Sequence, residues 1–107
     1  MKQRTFLTNW RRLMRVRLLH QAKTDLVALG QYDREVGGDV LARKMVARIK
    51  TPVLSLKDNP DIAPSYELAP GIRRLVVAKG AFLVFYRVRV DVEVLHIRRA
   101  ERDSATG

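Results

Sequence analysis

The sequence has no cysteine among its 107 residues, so neither a disulfide nor a thiolate metal site can form. That composition fits a reducing cytoplasm. No apolar run approaches the ~18 residues that a membrane span needs. Phe6 and Leu7, close to the basic N-terminus, are not followed by the apolar core of a secretory signal. Aromatic side chains make up only 7% of the chain, which leaves few platforms on which single-stranded bases can stack. There is no glycine-rich dinucleotide turn, no P-loop and no metal-ligand spacing, so neither a cofactor nor a metal is expected. Acids are also short, 11 against 21 Lys and Arg, for a net charge of +10. A field of that sign draws phosphate backbones, acidic proteins and anionic surfaces.

What is present is globular. Hydrophobic residues at 47% and charged residues at 30% suit one small domain around one modest core. Residues 1–13 carry Lys2, Arg4, Arg11 and Arg12 and no acid, with Phe6, Trp10, Leu13 and Met14 at helical spacing. This stretch is expected to be a basic upstream extension, disordered or a short helix, ahead of a domain at 14–103 and a flexible tail at 104–107. Met14 to Leu19 alternates as a strand. From His20 the period becomes helical, with Ala22, Leu26, Leu29 and Tyr32 or Asp33 in step, until Gly37-Gly38 stops it. Asp39 is a good N-cap for a second helix carrying Leu41, Met45 and Ile49. Pro52 should kink or end that helix.

A loop follows over 57–71, marked by Asn59-Pro60, Pro64 and Pro70-Gly71. Strands are expected at 72–77, 82–88 and from Val92 onward, with Lys79-Gly80 and 89–91 as turns. The 82–88 run is apolar at nearly every position and should be central. In the last strand, strict alternation groups Val92, Val94, His96 and Arg98 on one face and Glu93, Leu95, Ile97 and Arg99 on the other. The expected fold is α+β in the order β-α-α-β-β-β: a helical hairpin on one face of a twisted, mainly antiparallel sheet whose other face is partly open. Its basic last strand suits an acidic partner or a nucleic acid.

The residues in that order resemble the RelE/ParE superfamily of toxins from type II toxin–antitoxin systems. The likeness rests on Ala22, Asp25 and Leu26, on Ala42, Ile49, Leu56 and Pro60, and on Pro70 to Leu75. It continues through Leu83 to Val88 and Val92 to Leu95, and ends at Arg102-Asp103. It is closest to the ParE-like, plasmid-stabilisation branch. Aligned on Arg102-Asp103, Arg99 stands where ParE-like chains commonly carry a histidine, and His96 lies three positions earlier.

The resemblance implies a small basic cytoplasmic toxin neutralised by a cognate acidic antitoxin, with operator DNA met only through that antitoxin. A ParE-like member inhibits DNA gyrase and is no enzyme. A RelE-like member, the alternative, is a metal-independent endoribonuclease acting on mRNA at the ribosome. A non-toxic nucleic-acid-binding module is a further alternative. RNA cleavage needs a base, an acid and cations around one phosphate. Arg73 matches the strand-two arginine of RelE-like enzymes, and Tyr86, His96 and Arg99 complete the candidate catalytic set. The lysine cluster of such enzymes is not evident. Gyrase inhibition needs a surface instead, for which Arg73, Arg74, Arg98, Arg99 and Arg102 are the candidate target contacts.

Overall fold

The computed structural model describes residues 14–100. The extension 1–13, Arg102-Asp103 and the tail 104–107 lie outside the described residues. In chain order the elements are β1 (Val16–Leu18), a helical segment α1 (His20–Leu54), a 3-10 turn (Ser55–Lys57), β2 (Arg73–Val77), β3 (Phe82–Val88) and β4 (Val92–Arg99). The sheet runs β1-β4-β3-β2. β1 lies parallel to β4, and the other pairings are antiparallel. The expected α+β order and the central place of 82–88 are therefore what is found. β1 is shorter than its alternation promised, and Met14 sits ahead of it as a buried core residue. β2 begins at Arg73, one residue later than expected.

Within α1 the backbone leaves the helical region at Gly38, with φ 84° and ψ 180°, a conformation glycine enters without steric cost. The chain folds back there. A Cβ built on Gly30 would lie 3.4 Å from Val46 Cγ2, whereas a straight helix would hold those positions about 24 Å apart. The arms 20–37 and 39–54 are thus an antiparallel hairpin, and Gly30 lets them approach closely. Asp39 Oδ1 forms an ion pair with Arg34, 3.0 Å from its Nε, across the bend. The second arm runs two residues past Pro52, to Leu54, and tightens into the 3-10 turn. A missing donor so near a helix end breaks little.

The hairpin covers one sheet face. Ala22, Ile49, Val53 and Leu56 meet Phe82, Val84, Tyr86, Val92, Val94 and Ile97 in a single core. Strict alternation fails in β4. Tyr86 is opposite Val94, but Phe85 is opposite His96. Leu95 is therefore an extra, unpaired residue, a β-bulge. Beyond it every side chain changes face. Ile97, not His96, joins Val92 and Val94 in the core, and His96 and Arg98 turn to the open face. The expected grouping of His96 with the two valines is thereby corrected.

Candidate functional site

The bulge and the pleat together sort the candidate residues. Arg73 pairs with Tyr86, and Phe82 with Arg99, so the candidates Arg73, Tyr86 and Arg99 point, with Phe82, toward the helical side. Arg74, Phe85, His96 and Arg98 point to the open side.

On the helical side each candidate is already engaged. Tyr86 is fully buried; its hydroxyl donates to Pro60 O at 2.7 Å and accepts from Ala63 N at 3.4 Å. Burial pushes the phenol's pKa up, more than the Ala63 bond and the charge of Arg73 lower it. Arg73 donates from Nη1 to Ala63 O at 2.6 Å, and its Nη2 lies 3.4 Å from Asp61 Oδ1. The two side chains together fasten the 60–63 loop to the sheet. Arg99 Nη2 bonds Asp33 Oδ1 at 2.6 Å, with its guanidinium between the rings of Tyr32 and Phe82. Asp33 is buried, and its Oδ2 has no hydrogen-bond partner among the described residues.

On the open side the row Arg74, Phe85, His96 crosses three strands in register. The Phe85 ring stacks with His96 at 5.9 Å between centroids and meets Tyr66 edge-on at 5.1 Å. Arg74 lies over Tyr66 at 5.5 Å and Arg98 over Phe85 at 5.6 Å, within cation–π range. Further along, Glu93 accepts from Arg87 Nε at 2.6 Å and lies 3.6 Å from Arg17. The Arg87 bond holds the Glu93 carboxyl below its usual range. No described helix covers this face.

The outer edge of β4 needs a partner once β1 ends. Leu19 N–H donates to Val94 O at 2.9 Å. The next edge donor, Ile97 N–H, goes to Asp25 Oδ2 at 3.0 Å, and His96 Nδ1 lies 2.6 Å from the same oxygen. A carboxylate only accepts, so Nδ1 carries the proton, and Nε2 has no partner among the described residues. Burial by itself raises the Asp25 pKa. The bonds from Ile97, Gln21 and His96 outweigh it, and the carboxyl sits below its ordinary value. The stabilisation is therefore full above the unfolded value of about 3.9 and is lost as pH falls through the lower folded value. Asp25→Asn is expected to cost about 1–2 kcal/mol at neutral pH and to flatten the acid limb of stability in urea titrations. Identical acid limbs in the two proteins would refute this.

The helical side carries a separate feature. Between the arms and the end of β1 runs an apolar groove lined by Leu18, Leu26, Val27, Val53 and Leu54, with Lys23 and Lys50 on its rim. Val27 and Leu54 are more than half exposed. Among the described residues, no cluster of three or more His, Asp or Glu side chains is placed to hold a metal ion. No helix there is long and apolar enough to cross a membrane.

The sequence had marked Arg73, Arg74, Tyr86, His96, Arg98 and Arg99, and the structure divides them between two faces. Arg102 lies outside the described residues. The partnerships of Asp25, Asp33, Tyr66 and Phe85 went unread, because each joins residues remote in the chain.

A hairpin on a β1-β4-β3-β2 sheet places the molecule among the RelE/ParE-type toxin folds. A chain of the chromosomal ParDE toxin–antitoxin system of P. aeruginosa superposes with a TM-score of 0.75 at 27% identity, covering 83% of this chain and 98% of that one. The isolated E. coli RelE toxin superposes with a TM-score of 0.61 at 18% identity, covering 87% and 90%. That second likeness concerns the fold alone. The family model for the ParE toxin of the type II toxin–antitoxin system parDE matches residues 16–104, and the chain belongs to that family. No curated protein matches the sequence. The chain is thus the toxin of a type II module, with a cognate antitoxin as partner.

Proposed function

We propose that this toxin inhibits DNA gyrase in the cytoplasm, and that an acidic amphipathic segment of the antitoxin neutralises it from the helical groove. The observation that carries the gyrase reading is the division of the candidate catalytic set. Arg73, Tyr86 and Arg99 face the hairpin and are engaged by the 60–63 loop and Asp33. His96 lies on the opposite side of the sheet. Metal-free RNA cleavage needs its base, acid and cations within hydrogen-bond reach of one phosphate, and a sheet stands between these. Gyrase inhibition requires no such convergence. Its contact surface in this reading is the open face centred on Arg74 and Arg98, with Arg102 added from the sequence.

The groove suits the antitoxin for a different reason. Apolar walls with lysines on the rim fit a helix bearing one apolar and one acidic face, and the net +10 charge speeds its capture.

The test is a supercoiling and cleavage-complex assay on DNA gyrase with folded, antitoxin-free protein. The expected result is lost supercoiling or trapped double-strand breaks, relieved by adding antitoxin. Unimpaired gyrase together with ribosome-dependent mRNA cleavage would replace this reading with the RelE-like one.

A further inference from the structure

The open sheet face has a chemistry that the groove lacks. Across its strands stand Arg17, Arg74, Arg87 and Arg98 against a single strand acid, Glu93, which is shared by Arg17 and Arg87. Arg74 and Arg98 have no carboxylate partner among the described residues and are instead laid over Tyr66 and Phe85. They belong to strands two places apart, about 10 Å, with the Phe85–His96 stack between them.

We propose that this face binds the backbone of single-stranded nucleic acid directly. Three observations favour a strand over an acidic polypeptide. First, guanidinium planes held over aromatic rings offer flat surfaces for bases as well as charge for phosphates. Second, the face has little apolar surface left for a protein partner, whose interface would need a dry apolar centre. Phe85 is only 8% exposed beneath its neighbours, and Val76 is the one large apolar side chain of these strands that is more than half exposed. Third, the surface suited to protein, the groove of Leu18, Val27 and Leu54, lies on the opposite side. Protein and nucleic acid therefore have separate places on this molecule. The binding needs no cleavage chemistry, and of the four cleavage candidates Arg73, Tyr86 and Arg99 face the other way, leaving only His96 on this face. The inference shares its surface with the gyrase reading, in which the enzyme's DNA is a natural source of the strand, but it does not require gyrase.

The experiment is fluorescence anisotropy with labelled single-stranded DNA, single-stranded RNA and duplex DNA, using full-length toxin freed of antitoxin. Single strands of either sugar are expected to bind more tightly than duplex. Arg74→Gln/Arg98→Gln should weaken binding at least about tenfold, and it should make the log–log salt slope shallower by about 1.4. Arg74→Lys/Arg98→Lys should keep the slope and still lose affinity, because lysine has charge but no plane. Lys44→Gln/Arg48→Gln, an equal charge removed from exposed positions on the hairpin, should change affinity less than about threefold. Equal losses from both glutamine pairs would leave only the attraction of net charge and overturn the proposal. So would an absence of binding at low salt, tighter binding of duplex, or displacement by polyglutamate as readily as by unlabelled strand. Gyrase inhibition measured beside it separates the two ideas. Inhibition without oligonucleotide binding sinks this inference alone.

Discussion

Exchanging Arg99 for leucine lowers the free energy of unfolding by about 2–3 kcal/mol, and adding Asp33→Leu returns most of the loss. The asymmetry follows from burial. The Asp33 side chain is 8% exposed and that of Arg99 is 41% exposed. Removing the arginine leaves a carboxylate inside the protein with neither oxygen bonded, since Oδ2 already lacks a partner among the described residues. An abandoned charge in a fully buried pair costs about 3–5 kcal/mol. The half-open guanidinium scales that down, because water screens part of its attraction. Removing both charges takes away the uncompensated desolvation, and leucine fits beside Tyr32 and Phe82 where the guanidinium lay. A double-mutant cycle in urea measures it. A single variant within about 0.5 kcal/mol of wild type, or a double variant no better than the single, would refute the account.

This bears on function. Arg99 looks in the sequence like one more arginine of a basic target-binding end. Combined removal of Arg98, Arg99 and Arg102 would therefore confuse a lost contact with a loosened fold. The Asp33→Leu/Arg99→Leu protein separates the two. It should stay folded and, with Arg74 and Arg98 intact, should still inhibit gyrase.

How far the sequence could be read is visible in particular residues. Element order was legible because the unbroken apolar run 82–88 and the four-residue spacing through Leu41, Met45 and Ile49 are local signals. Gly37-Gly38 marked the bend because only glycine takes φ 84° without strain. The site was harder. One bulge at Leu95 reverses the facing of His96 and Arg98, and nothing in V-E-V-L-H-I-R announces it. Whether Arg73 and Tyr86 are free or engaged depends on where the 60–63 loop lands, and that is set by tertiary packing. Asp25 stands in the A-x-x-D-L pattern, but its partners Ile97 and His96 lie more than 70 residues away. Phe85 read as core beside Phe82 and Tyr86, because a run without alternation conceals which side chain faces out.

Placing glutamate at Val27 and Leu54 together should weaken antitoxin binding at least about 100-fold while leaving the toxin folded and active. Both side chains are more than half exposed, at 61% and 55%, so neither substitution empties the core, and surface changes of this kind alter stability by only about 0.5 kcal/mol. Both line the groove next to Leu18, Leu26 and Val53. An antitoxin helix seated there would bury an apolar centre of the sort that carries most of a binding energy. The new carboxylates would be stripped of water without a cation and would face an acidic partner, so repulsion adds to lost packing. The effect should appear mainly in the dissociation rate, because truncated or repelled central contacts shorten residence. The rim lysines should behave differently. Lys23→Gln/Lys50→Gln should slow association and reduce its salt dependence, with a smaller change in dissociation. In cells the glutamate variant should arrest growth even when antitoxin is co-expressed. Full rescue by the antitoxin, with unchanged affinity of the purified proteins, would move the antitoxin's seat elsewhere on the molecule.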